Sequence, residues 1–96
     1  MARFAVHYRE VVLTRDLAKI PGNMQGRILR AIEERLTSSP EQYGQRLRKS
    51  LFGLWKLRVG DYRVVYEIQK DAVHVWLVCH RRDACKVMTQ RWGGNP

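Results

Sequence analysis

Leu54-Trp55-Lys56-Leu57-Arg58-Val59-Gly60-Asp61-Tyr62-Arg63-Val64-Val65-Tyr66-Glu67-Ile68 is rich in Val, Tyr and Trp and is interrupted only by Gly60-Asp61. Sheets favour such residues, and a two-residue Gly-Asp connection joins strands as a hairpin. Gln69-Lys70-Asp71 then leads into Val73 to Cys79, which reads as a third strand, so the centre of the chain is an antiparallel meander. Side chains alternate across a strand. Trp55, Leu57 and Val59 therefore share one face, as do Tyr62, Tyr66 and Ile68, while Lys56 and Arg58 project from the other. Arg63 enters the neighbouring strand just after the turn, and the third strand ends on Cys79-His80-Arg81-Arg82.

Working outward, Arg3 to Tyr8 alternates, with Phe4, Val6 and Tyr8 on one side, and is expected to be a first strand. A helix is expected from about Arg9 to Ile20, ended by Pro21-Gly22-Asn23. A second runs from about Met24 to Thr37, where Met24, Ile28, Ala31, Ile32 and Leu36 form an apolar stripe and the other side is charged. Ser38-Ser39-Pro40 stops it, because the residue before a proline is pushed out of helical conformation. Glu41 to Ser50 reads as a basic, irregular connection through Tyr43-Gly44. Arg82 to about Arg91 can close the domain as a helix, with Val87, Met88 and Trp92 available to dock on the sheet. The order β-α-α-β-β-β-α predicts an α+β fold: a small antiparallel sheet, two N-terminal helices packed on one face, and a short C-terminal helix. Residues 1–92 are expected to form a single domain and 93–96 a flexible tail.

Eighteen Lys plus Arg against nine Asp plus Glu give a net charge of +9 and a pI near 10.3. That imbalance suits a nucleic-acid binder, and equally an acidic protein partner. The cations are unevenly placed, since Arg46, Arg48, Lys49, Lys56, Arg58 and Arg63 are opposed only by Asp61 between Gln45 and Arg63. Cys79 and Cys85 straddle a strand-to-helix junction and make a poor disulfide candidate, which points to a reducing compartment. No secretory signal or spanning run stands in the sequence, so a cytoplasmic location without membrane association is expected.

Lys56, Arg58, Arg63 and Arg81 come from three adjacent strands or their ends, and strands lie about 5 Å apart. Long cationic side chains so placed can converge on one phosphodiester and stabilise charge building on it in a cleavage reaction. The other reading of the same residues is a solvated basic face with Arg63 paired to Glu67 or Asp61. His80 beside Arg81-Arg82 could act as acid or base or be merely structural, and His7 and His74 fit surface or sheet-packing positions. Trp55, Tyr62, Tyr66 and Trp76 could stack on bases, but their parity suits a core better. Cys85, near Arg81, Arg82 and Lys86, is either a thiol with depressed pKa or an inert one. The His and Cys spacings fit no metal motif, so neither metal nor cofactor is expected.

On these residues, "L-R-V-G-D-Y-R-V-V-Y-E-I" at 57–68 and "H-R-R-D" at 80–83, the chain resembles the RelE/ParE superfamily of toxin proteins, in its RelE-like branch. The resemblance spans nearly the whole chain. It implies the toxin of a type II toxin-antitoxin module acting as a ribosome-dependent mRNA endonuclease. The substrate's own 2′-hydroxyl would be the nucleophile, with no metal. Carried over by position, Lys56 or Arg58 would help activate that oxygen, and Arg63 and Arg81 would stabilise the pentavalent transition state and the leaving 5′-oxygen. Cys85 stands where many relatives place a tyrosine that stacks on the base and assists proton transfer; the thiol, or His80, would have to take that role. Arg46, Arg48, Lys49, His80, Arg82 and Lys86 are then expected to bind RNA. The resemblance also implies ribosome and mRNA as partners, an acidic cognate antitoxin, and operator DNA contacted only through the antitoxin complex. The alternatives are a ParE-like inhibitor of DNA gyrase without nuclease chemistry, which would not need this convergence of charge, and a degenerate toxin that only binds RNA or an antitoxin.

Overall fold

The computed structural model describes residues 3–47 and 53–92, with the side chains of Cys85, Thr89 and Trp92 excepted. Strand β1 (Ala5–Tyr8) is followed by helix α1, a π-helical turn Val12–Asp16 that tightens into 3₁₀ geometry at Leu17–Lys19. Helix α2 begins as Gly22–Ala31, just after Pro21, and continues through a second π-helical stretch, Ile32–Leu36. Then come α3 (Pro40–Tyr43), β2 (Gln45–Arg46), β3 (Leu54–Val59), β4 (Tyr62–Gln69), β5 (Ala72–His80), a 3₁₀ turn at Arg81–Asp83, and α4 (Ala84–Trp92).

The fold is α+β, and the meander is found in the expected register. Gly60 has φ +59° and Val59 faces Tyr62, which fits a two-residue turn with glycine first. Three expectations are corrected. The strand order is β1-β5-β4-β3-β2, with β1 parallel to β5, so the sheet is not antiparallel throughout. The helices between β1 and β3 form the long crossover that brings two strands back in the same direction. Residues 41–46 are not irregular: Pro40 sits in the first turn of α3, where its missing N–H loses nothing, and Gln45–Arg46 pair with Trp55 and Lys56 as a fifth strand. Helices also cover both faces rather than one.

Those faces carry separate cores. On the α1/α2 face, Leu57, Val59, Val64, Tyr66, Val73, Val75 and Val78 pack with Val12, Ile28, Ile32 and Leu36. On the other, Leu54, Val65, Leu77 and Cys79 pack with Met88 of α4. The division along β5 depends on a bulge, since Val65 pairs Leu77 while Tyr66 pairs Val75, leaving Trp76 as the extra residue. Beyond it the alternation shifts by one, which turns Cys79 to the α4 face and His80 to the α1 side.

The buried Tyr66 hydroxyl donates to the Pro40 carbonyl at 2.6 Å. Gly44 makes this possible, because a Cβ there would lie 1.7 Å from the phenol oxygen. At the far edge, β1 ends before β5 does. The Val78 N–H donates to Asp16 Oδ2 at 2.9 Å, and Arg91 Nη1 donates to Asp16 Oδ2 at 2.9 Å and to the Trp76 carbonyl at 2.8 Å. Arg91 Nη2 also donates to Asp16 Oδ1. A carboxylate from α1 and a guanidinium from α4 thus finish the hydrogen bonding of the part of β5 that β1 does not reach.

Candidate active site at the β3–β4 turn

Lys56, Arg58 and Arg63 share the α4 face of the sheet, and Arg58 stands directly opposite Arg63. Like charges facing one another across a strand pair are unfavourable. Arg63 is 8 % exposed, and its Nη1 donates to the Gly60 and Tyr62 carbonyls at 3.1 and 3.0 Å. The turn backbone therefore holds the guanidinium in place without neutralising it. The ion pair weighed for Arg63 does not form: Asp61 pairs instead with Arg81, Nε to Oδ1 at 3.8 Å, and Glu67 accepts from Gln69. Asp61 positions Arg81 twice, since its carbonyl also accepts the Arg81 N–H at 2.8 Å. Both side chains of that pair are about two-thirds exposed (62 and 67 %), so water screens the attraction.

The Gly60-Asp61 turn thus has Arg58 and Arg63 on one face beside it and Arg81 tied to Asp61 at its edge, with Lys56 half-buried further along β3. Arg27 of α2 joins from the other side, its guanidinium 3.9 Å from where a Gly60 Cβ would stand. Such a set can hold phosphate oxygens and stabilise charge developing on them. Arg27, Arg30 and Arg35 were missed in the sequence, although their spacing on the charged side of a helix was legible.

Other residues expected at the site lie elsewhere. Arg46 is paired with Trp55 and so faces the α1/α2 side. His80 pairs with Tyr62, and their rings meet edge to face at 5.3 Å, on the sheet face opposite Arg63. Its Nδ1 accepts the Arg82 N–H at 3.1 Å, so the imidazole caps the 3₁₀ turn. Exposed Arg82 and Lys86 and half-buried His80 line a groove of about 720 Å³ beside α1, whose walls also carry Ile20, Val78 and Val87. Cys85 is the second residue of α4, just beyond Arg81–Asp83, and its side chain lies outside the described residues, as do Arg48 and Lys49. Cys79, the buried thiol beside Arg63, is pushed up to about 11 by burial first and by Asp16 and Asp83 next. It is therefore protonated at neutral pH.

Similarity to known proteins bears on the family and the fold. The profile of the family described as "ParE toxin of type II toxin-antitoxin system, parDE" matches residues 13–85. The chain is 38 % identical over 72 residues to Toxin RelE of Mycobacterium tuberculosis, covering 73 % of each. Among solved structures it is similar to a RelBE toxin-antitoxin complex of M. tuberculosis, with TM-score 0.77, 29 % identity, and 86 % of this chain and 97 % of that one covered. The fold also matches a free RelE mutant from Escherichia coli, with TM-score 0.69, 24 % identity and 93 % of each chain covered. Family profile, curated relative and solved neighbours agree, and the chain belongs to the RelE/ParE superfamily of type II toxin-antitoxin toxins.

Proposed function

We propose that this toxin is a metal-independent, ribosome-dependent mRNA endonuclease that cuts by attack of the substrate's 2′-hydroxyl on the adjacent phosphodiester. The observation that carries the reading is the gathering of Arg58, Arg63 and Arg81 at one turn, with Lys56 on the same face as Arg58 and Arg63, and with Asp61 paired to Arg81 rather than to Arg63. Attack of the 2′-oxygen forms its bond to phosphorus as the bond to the 5′-oxygen breaks; a base takes the 2′ proton and an acid supplies one to the 5′-oxygen. Lys56 is the side chain suited to proton transfer, because an arginine stays protonated. Arg58, Arg63 and Arg81 stabilise the pentavalent phosphorane and the leaving oxygen. Arg63, fixed by two carbonyls, is preorganised for that work. Cys85 is proposed at the position of the base-stacking tyrosine; the cap made by His80 argues against the imidazole taking that role.

An acidic antitoxin is proposed as the partner that silences the toxin, with operator DNA bound only by their complex, and the cytoplasm as their location. The 720 Å³ groove supports this, because Arg82, Lys86, Arg15 and Lys19 rim apolar side chains and so suit an acidic amphipathic segment. The test is induced expression in a bacterial host with mapping of message 5′ ends. Cuts inside codons that vanish when translation is blocked, and that are lost in Arg63→Ala, are expected. A second reading, inhibition of DNA gyrase, is favoured by the ParE description of the matching family. Growth arrest with intact messages and a DNA-damage response would establish it instead.

A further inference from the structure

Between α2 and the open end of β3 lies a recess of about 290 Å³ lined by Arg27, Arg30, Glu34, Arg35, Arg58 and Gly60, with Ala31 and Val59 its only apolar residues. Four arginines and one glutamate leave an excess of three positive charges in a space large enough to admit a backbone phosphate. Arg35 is engaged with the Tyr43 ring at 5.9 Å. The side chains of Arg27, Arg30 and Arg58 make no hydrogen bond or ion pair with other described residues, and all three are exposed. The Arg27 Cζ, Nη1 and Nη2 atoms are equidistant from the Gly60 Cβ position, so the planar group lies against the turn. Arg58 belongs both to this recess and to the cation face across from Arg63.

We infer that this recess is a second phosphate subsite, in which Arg27 and Arg30 hold the backbone phosphate next to the scissile one on the same RNA strand, with Arg58 bridging the two. The inference rests on the nuclease reading and adds positioning residues to it. The ligand is RNA rather than protein because the recess has almost no apolar floor. A peptide needs such a floor for affinity, whereas a phosphodiester is recognised through guanidinium forks alone. Arg27 and Arg30 belong to α2, on the other side of the turn from Arg63, so in this subsite they fix the register of the message, and their loss should appear in binding rather than in the chemical step.

The test compares wild-type toxin with Arg27→Gln/Arg30→Gln and with a charge-matched control, Arg3→Gln/Lys70→Gln, two exposed residues at the end of the sheet far from the β3–β4 turn. The probes are a 2′-deoxy-substituted, uncleavable RNA hexanucleotide and the corresponding dinucleotide, which has a single phosphodiester. For the hexanucleotide, the double variant should lose affinity by about tenfold, and the slope of log K against log salt should fall by about 0.7, one phosphate contact on a single strand. Dinucleotide binding should hold for this variant, and both probes should hold for the control. On ribosomes carrying message, half-saturating toxin should rise by about tenfold while the saturated cutting rate stays put. An unchanged hexanucleotide slope, an equal loss for both probes, or a loss confined to antitoxin binding would each overturn the subsite. If wild-type toxin cuts no ribosome-bound message, the nuclease reading itself falls, and the oligonucleotide slopes separate that failure from failure of the subsite.

Discussion

The open edge of β5 and the turn between β3 and β4 both hold arginines, but the chain treats them in opposite ways. At the β5 edge Arg91 is matched by a buried carboxylate and a carbonyl, and Asp16, 7 % exposed, is matched by a guanidinium and a backbone N–H. At the turn, Arg58 stands opposite Arg63 on the neighbouring strand, Arg63 is given only carbonyls, and the ion pair formed there, Asp61 with Arg81, is largely exposed. A paired arginine closes a hydrogen-bond account within the fold, while unpaired ones leave a demand that an outside anion satisfies. In a chain of charge +9 it is the distribution of carboxylates that separates structural cations from functional ones.

That contrast can be broken most severely at Asp16. Asp16→Ala strands Arg91 in a partly buried position and leaves the Val78 N–H without its acceptor, so a loss of about 3–5 kcal/mol in unfolding free energy is expected from denaturant titration. Asp16→Asn, which can still accept from Val78, should lose less. At the turn the damage should fall on activity: Arg63→Gln is expected to lower single-turnover cutting on ribosomes by about 10²–10³, or about 3–4 kcal/mol of transition-state stabilisation. Its structural cost should be smaller, because the displaced carbonyls lie at a turn that water can reach. Arg81→Gln should slow cutting by about tenfold and leave the unfolding free energy within about 0.5 kcal/mol of wild type, as befits an exposed pair. If it instead destabilised the fold as Asp16→Ala does, the distinction between the two regions would fail.

Alkaline titration sharpens the comparison from the buried side. Burial raises the Cys79 thiol to about 11 and the Tyr8 phenol to about 12, the latter helped by Glu33. Both folded-state values lie above the ordinary ones of 9.0 and 10.0, so the native chain retains protons that the unfolded chain has released. Stability should be fully present below pH 9 and decline as pH rises through the folded values, between about pH 9 and 12. Cys79→Ala should start from lower stability but decline less steeply over the first part of that window, as thermal midpoints measured against pH would show.

Much of the sheet was readable from residue types because β3 and β4 alternate faithfully around a glycine turn, and the apolar stripe of α2 kept helical spacing to Leu36. The parallel pairing of β1 was not readable, since local pattern says nothing about which distant strand accepts an edge. Trp76-Leu77-Val78-Cys79 has no alternation to read, and the bulge inside it decides which face receives Cys79 and which His80. The shared face of Lys56 and Arg58 followed from parity alone, while Arg63 joins it through its pairing with Arg58 across the turn. Arg27 and Arg30 could not be attached to it from sequence, because only the tertiary approach of α2 to the β3–β4 turn makes them neighbours.

The contact of Gly44 with the phenol of Tyr66 has an evolutionary consequence. Any side chain at position 44 would collide with that ring, and removing the hydroxyl alone would still leave its ζ-carbon 2.8 Å from the intruding atom. A descendant of this chain can therefore vary the small residue only after the aromatic one has shrunk, and the two positions should drift as one locus, in a fixed order.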